Sequence, residues 1–226
     1  MLSDLINKTN NEDFYSDGNL YPIGIKAQIG GFNTMELELI IEESGIKESD
    51  GKYEEWKHTE YWKIIAHKAI KFDKLYAPIY LPYVKLRVLY DHPLLWDYKS
   101  DKLECELNGI PDNYNEFVGV LYHTFDEYAG NWILLNNSLF NAHGSSSKAR
   151  KRIMTIPEPM KQPVLKVCQD FGIDFHVTHV SSGRDKGYAY RPNAKLLMFG
   201  NEDVCDFASN LGQPYIIAED FMAHKK

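Results

Sequence analysis

The stretch IKAQIGGFNTMELELIIE, residues 25–42, carries the clearest structural signal in the chain. In its second half, residues 35–42, every odd-numbered position is apolar and the even-numbered positions hold three glutamates and Ile40. This period of two places the odd-numbered apolar side chains on one face of a β-strand. Gly30 and Gly31 supply a turn between this strand and the apolar run before it. The stretch therefore predicts an antiparallel hairpin with one buried face.

Strand and helix signals continue on the C-terminal side of this hairpin. Leu103, Cys105 and Leu107 alternate with glutamates and predict a strand. Asn113 can cap the helix that follows, and Gly130 stands where that helix is expected to end. Further helix and strand signals fill the C-terminal third of the chain. Together they predict an α+β fold of mostly antiparallel sheets, with helices packed on one face and two sub-domains.

Two segments are predicted to be irregular. Ser44 to Lys52 contains Gly45 and the dipeptide Asp50-Gly51, and we predict a loop there. Tyr76 to Tyr83 contains two prolines, which fix their own φ and disfavour helical backbone in the residue before them. That segment is predicted to be extended.

The distribution of charge suggests where the sub-domains meet. Residues 1–142 hold 13 Lys and Arg against 23 Asp and Glu, a net charge of −10, whereas residues 143–226 hold 12 against 9, a net charge of +3. The run from His143 to Arg152 is small and polar, then basic, and three prolines follow it. We predict an acidic, aromatic-rich α+β domain over 1–142, a basic Ser/Pro-containing linker over 143–163, and a small α-β-β-α-β domain over 164–226.

Composition and charge exclude several classes of protein. Hydrophobic residues make up 44 % and charged residues 25 % of the 226 residues, as in a soluble globular protein. No apolar run reaches the roughly 18–20 residues that a bilayer-spanning helix needs, and the start of the chain lacks a signal-peptide pattern. We therefore expect a cytoplasmic protein with no membrane contact. The net charge of −7 argues against nucleic acid as a partner.

The cysteines and glycines predict neither a metal nor a cofactor. Cys105, Cys168 and Cys205 lie far apart without CxxC spacing, and are predicted to be buried thiols in a reducing compartment. Neither GxGxxG nor GxxxxGK[ST] occurs, so no nucleotide-binding loop is expected.

An aromatic cluster is the first candidate for function. Tyr76, Tyr80, Tyr83 and Trp96 could form a recognition surface, because Tyr and Trp are enriched where proteins bind partners. Core packing is the competing interpretation of the same residues. With an acidic N-terminal half and no catalytic signature, they predict a protein-binding module. Bacterial or phage inhibitors and immunity-type proteins are the class we expect by analogy.

A histidine motif supports the alternative. On a strand, His176 and Thr178 point to the same face, and this His-x-Thr pair resembles half of the signature of the 2H phosphoesterases, in which two such pairs act as acid and base. The only other candidate pair is His143-Gly144-Ser145, inside the predicted linker. The resemblance implies a phosphodiester or nucleotide hydrolase, with Arg184 as an anion contact. The competing interpretation is a strand histidine satisfied by a local polar partner.

Two other histidines stand beside carboxylates. His123 and Glu127 are one helical turn apart, and we predict an exposed pair on the helix surface rather than a zinc site. Asp91 and His92 precede Pro93, and we predict a turn whose apolar residues enter the core, with a general base as the alternative.

Overall fold

The protein is described by a computed structural model, which covers residues 1–12, 14, 18–28, 33–75, 81–82, 85–135, 138, 151–200 and 214–226. The helices and strands follow this order along the chain: α1 Leu2–Thr9, β1 Gly18–Gln28, β2 Thr34–Ser49, β3 Lys52–Asp73, β4 Leu81–Pro82, β5 Leu86–Leu89, α2 Pro93–Lys99, β6 Lys102–Asn108, α3 Tyr114–Ala129, β7 Lys151–Pro157, α4 Lys161–Asp170, β8 Asp174–Ser181, β9 Lys195–Phe199 and β10 Tyr215–Lys225. The fold is α+β, and the strand pairings in the described ranges are antiparallel.

The chain divides into two compact units. Unit 1 consists of residues 1–90 and 193–226, and unit 2 of residues 91–192. Unit 2 enters the chain between β5 and β9, which are antiparallel neighbours in the unit 1 sheet. This division differs from the predicted boundaries at 142 and 164, because one unit is inserted within the other and a trend in charge along the chain reports only consecutive segments.

Unit 1 is built on a seven-stranded sheet in the order β4-β1-β2-β3-β10-β9-β5. The predicted hairpin is confirmed: β1 pairs with β2, and Ile25 lies opposite Leu37. Leu37 and Leu39 are completely buried, and Leu5 of α1 joins them in the same core. Burying each such side chain stabilises the fold by roughly 1.5–3 kcal/mol, so the period of two in β2 determines which face of the sheet is covered.

Unit 2 is a three-stranded sheet in the order β7-β6-β8, with α3 and α4 packed on one face. The predicted cap is confirmed, since the Asn113 side chain accepts a hydrogen bond of 3.2 Å from the backbone N–H of Glu116. Gly130 ends α3 with φ 54°, in the left-handed region that favours glycine. Phe117 and Leu121 of α3 are buried against β6, whereas Tyr128 near the end of the helix is 54 % exposed.

The predicted linker is only partly described. Residues 139–150 lie outside the described residues, but 151–157 form β7, paired along β6. The basic residues there have local partners. Lys151 lies 2.5 Å from Glu106, and Arg152 donates to the carbonyl of Gly109 at 3.1 Å. A run that resembles a solvated linker in composition therefore supplies an edge strand.

Candidate functional site

The predicted aromatic surface is described only at Trp96. Tyr76, Tyr80 and Tyr83 lie outside the described residues. Trp96 belongs to α2, is half-buried against the core of unit 2, and donates from Nε1 to Asp91 Oδ1 at 3.1 Å. This indole therefore contributes to packing within unit 2, and its role in partner binding stays a prediction.

Asp91 and His92 precede α2, and the apolar residues for which the sequence predicted a turn are helical instead. His92 is the N-cap of α2, and its Nδ1 accepts a hydrogen bond of 3.2 Å from the backbone N–H of Leu94. Its ring is buried and stands edge-on to Trp132, with 5.2 Å between the ring centroids. Leu95 of α2 is fully buried. Since Nδ1 is engaged by the helix end, this imidazole is held as a structural cap.

The histidine motif lies on the face of the unit 2 sheet opposite α3 and α4. His176 is exposed, and its Nε2 lies 2.7 Å from Asp174 Oδ2. Thr178 donates from Oγ1 to the backbone carbonyl of Glu104 at 3.1 Å. The Thr178 hydroxyl thus donates its hydrogen bond to the neighbouring strand β6. The Arg184 side chain and the second candidate pair at His143 lie outside the described residues.

A bulge changes which side chains surround His176. The pairing of β8 with β6 shifts so that Val177 lies opposite Cys105 and His179 lies opposite Glu104, with Thr178 as the additional residue. Residues directly opposite each other share a face, so the bulge places His179 on the same face as His176. The sequence alone did not indicate this pairing of imidazoles, because a bulge leaves no periodic signal.

The same face carries several carboxylates. His176 lies opposite Glu106, and hydrogen bonds from Lys151 and Asn108 lower the pKa of Glu106. Glu104 and Asp174 are also exposed here. Within the described ranges, no cluster of three or more His, Cys, Asp and Glu side chains is arranged to hold a metal ion. A phosphate ester approaching His176 would meet three carboxylates, which oppose its negative charge.

The other histidine and thiol predictions fall on ordinary structural positions. His123 and Glu127 lie on the exposed side of α3, as predicted for a surface pair. Cys105 and Cys168 are buried free thiols in unit 2, as predicted. Burial raises the pKa of Cys105 to about 11 and that of Cys168 to about 12, so both stay protonated and unreactive near neutral pH. Cys205 lies outside the described residues.

In unit 1, the strands β2 and β3 extend beyond the strands that flank them in the sheet. Pairing of β1 with β2 ends at Gly18 and Glu43, and pairing of β10 with β3 ends at Lys225 and Trp62. The strands β2 and β3 continue to pair with each other as far as their common turn. Residues 44–58, which we call the arm, are therefore a two-stranded ribbon with no third strand among the described residues.

The arm was predicted as a loop from Ser44 to Lys52, and that prediction was wrong. Asp50 and Gly51 form a two-residue turn with φ of 52° and 72°. Both values are positive, as a hairpin turn that continues the strand twist requires. The Asp-Gly dipeptide is a strong hairpin signal, and read together with the strand pattern on either side it could have identified the arm from sequence.

Three large side chains project from the arm into solvent. Ile46 is 69 % exposed, Tyr53 75 % and Trp56 39 %. By register, Ile46 and Tyr53 lie on one face of the ribbon and Trp56 on the other. A Cβ built on Gly45 would lie 2.9 Å from the indole Nε1, so glycine at this position lets Trp56 lie against the opposite strand. The arm thus presents apolar surface that the described residues leave uncovered.

A buried carboxylate anchors the arm at its base. The Glu60 carboxylate accepts hydrogen bonds from Lys225 Nζ at 2.8 Å and from Trp62 Nε1 at 2.9 Å. It also lies 3.1 Å from His58 Nε2 and 3.3 Å from Lys8 Nζ. Burial by itself would raise the pKa of this carboxyl, but the surrounding donors outweigh it and lower the pKa to about 2. Glu60 therefore stays ionised and ties the arm to α1 and β10.

None of the helices in the described ranges is long and apolar enough to cross a bilayer. Comparison of the chain with models of protein families, with curated protein sequences and with solved structures gave no match.

Proposed function

We propose that this protein is a protein-interaction module and that the arm is its contact element. One observation carries the proposal: residues 44–58 are exposed, apart from the half-buried Gly45, although they contain Ile46, Tyr53 and Trp56. Exposed apolar side chains grouped on one projecting element are typical of sites that bind another protein.

The edges of the arm support the same proposal. A strand with an unpaired edge offers rows of backbone N–H and C=O groups that another chain can pair with. Soluble proteins usually block such an edge with proline, with a bulge, with a covering element or with charged side chains. The described residues of the arm include no proline, bulge or covering strand, and its register with its own partner strand is regular from Ser44 to Ser49. Its charged side chains are of both signs, so they can pair with opposite charges on an added strand as well as discourage an unmatched one. An uncovered edge of this kind suits an element whose role is strand addition.

The partner class follows from charge. The chain has a net charge of −7, so nucleic acid, with its dense phosphate charge, is opposed electrostatically, whereas a protein surface that carries charges of both signs can match the acidic and basic residues of the arm locally. An inhibitor or immunity-type role, in which a small protein occupies a surface of another, is the kind of interaction we propose. The tyrosines at 76, 80 and 83 stay additional candidates for partner binding.

Site-specific crosslinking in the cells that produce the protein tests this function. A photoreactive benzoylphenylalanine at Tyr53 is expected to crosslink to a protein in high yield, whereas the same residue at Tyr128 serves as the matched control. Tyr128 is also an exposed tyrosine, at 54 %, but it lies on α3 in unit 2. Equal, low crosslinking at both positions would contradict the proposal.

A second candidate function rests on the bulge in β8. It places His176 and His179 on one exposed face, and two imidazoles could serve as acid and base on a phosphodiester. Assay of the purified protein with bis(p-nitrophenyl) phosphate and with a mononucleotide tests this hydrolase alternative. Hydrolysis that is lost in His176→Ala and kept in His123→Ala would support it, and an inactive wild-type protein would remove it.

A further inference from the structure

We infer that the arm pairs with the arm of a second copy of this chain, edge to edge and antiparallel, with Trp56 of the two copies at the centre. This inference rests on the proposed function, since it names the partner that the arm binds. The pairing would use the outer edge of β3 over Tyr53 to Thr59, a stretch that pairs with β2 on its other side.

The outer edge of β3 has its backbone groups oriented for such pairing. The backbone N–H of Lys226 donates to the carbonyl of Tyr61 at 2.8 Å, so this carbonyl points away from β2. Backbone direction alternates along a strand, and the register of β3 with β2 is unbroken here. The N–H and C=O groups of Thr59, Lys57, Glu55 and Tyr53 therefore also point outward.

The charges along this edge are self-complementary. In an antiparallel pair related by a two-fold axis at Trp56, residues equally spaced before and after Trp56 lie opposite each other. Glu55 of one copy then faces Lys57 of the other, and this pair occurs twice. Opposite charges facing each other across strands are stabilising, and like charges are destabilising.

Charge also selects this register over its neighbours. A two-fold axis moved by one residue would pass through Glu55 or through Lys57, and would place two identical charges directly opposite each other. Within its own chain Lys57 already lies 2.9 Å from Glu42, so Glu55 of the second copy would flank an ammonium group that is held in place. The sequence thus favours a single alignment of the two strands.

Trp56 provides the apolar part of the contact. Its indole lies against Gly45 and is 39 % exposed, on the same face of the ribbon as Glu54 and His58. Two copies paired at this residue would bring their indoles side by side and cover the remaining exposed surface. Because the charges are symmetric about this one residue, a second copy fits the edge better than a partner of unrelated sequence.

Two charge-reversal variants test the pairing. Glu55→Lys and Lys57→Glu each convert two attractive pairs into two repulsive ones, so each variant alone is expected to dimerise at least about tenfold more weakly than the wild type. Mixed together, they restore both pairs, because Lys at 55 faces Glu at 57 and Lys57 faces Glu55. Native mass spectrometry and sedimentation across the micromolar range should show a wild-type dimer, monomeric single variants and a one-to-one heterodimer in the mixture.

A control variant and the alternative outcomes decide whether the inference holds. Glu127→Lys, the same change on α3, serves as the control and is expected to stay dimeric, and circular dichroism checks that all variants fold. A wild-type dimer that survives both reversals would mean that another surface mediates it. A monomeric wild type would refute pairing between copies; if Tyr53 still crosslinks to a different protein, the proposed function stands, and if it crosslinks to none, both fail.

Discussion

The two halves of the β2–β3 hairpin belong to the same pair of strands, with one continuous register and apolar residues in both halves. They differ in whether other strands flank them. In the inner half, β1 and β10 flank the pair, and residues such as Leu39 and Ile64 are fully buried. In the arm, the same strands have no flanking strand among the described residues, and Ile46 and Tyr53 are exposed. Hydrogen bonding between two strands is therefore enough to continue a ribbon, but burial requires neighbours, and the arm is the half still able to accept one.

The largest expected difference between the halves is in stability. Leu39→Ala removes a fully buried side chain and leaves a cavity, and should lower the free energy of unfolding by about 2–4 kcal/mol. Ile46→Ala on the arm should change it by less than about 0.5 kcal/mol, because the side chain is already in water. Urea titration followed by circular dichroism measures both. Equal losses would mean that the arm is part of the folding core.

Acid is expected to weaken the junction between the halves. The folded pKa of Glu60, about 2, lies below its ordinary value of 4.5, so the stability it contributes is present above pH 4.5 and is lost as the pH falls through 2. The shift corresponds to about 3 kcal/mol. The wild type should therefore lose more stability between pH 7 and pH 3 than Glu60→Gln does, as measured by urea titration at each pH. Parallel losses in the two proteins would exclude Glu60 as the acid-sensitive group.

The smallest expected effect is confined to the arm. In Gly45→Ala the new methyl group would lie 2.9 Å from Trp56 Nε1, so the indole must move away from the opposite strand. We expect a shift in tryptophan fluorescence and a weaker dimer, with the unfolding midpoint nearly unchanged because the arm is exposed. Fluorescence and sedimentation of the variant provide the measurement. A large drop in the midpoint would show that this contact supports the whole unit.

The sequence predicted the parts of the fold that local patterning controls. The alternation after Thr34 and the Asn113 cap both specify structure through neighbouring residues, and the α+β class with helices on one face followed from them. Insertion of unit 2 between β5 and β9 was not predictable in this way, because it depends on a pairing between strands about a hundred residues apart. Arg152 was predicted to lie in the linker, but it lies in β7 and donates to the carbonyl of Gly109. This contact was not predictable for a related reason, because Gly109 is distant in sequence.

The candidate site was harder to predict than the fold. Exposed Ile46 and Trp56 have the same residue types as core positions, and only the end points of β1 and β10 show that nothing in the described ranges covers them. His176 was identified from its motif, but the bulge that brings His179 to its face arises from pairing with β6. In both cases the environment of the residue depends on which strand pairs beside it. That pairing involves residues distant in sequence, so local sequence patterns do not reveal it.

Hydrogen–deuterium exchange measured at low and high protein concentration tests the central claim most directly. If arms pair between copies, the outward-facing amides of Tyr53, Glu55, Lys57 and Thr59 should exchange more slowly as concentration rises, while the amides of the inner half, already bonded to β1 and β10, should not change. Exchange in the arm that is rapid and independent of concentration would contradict the account.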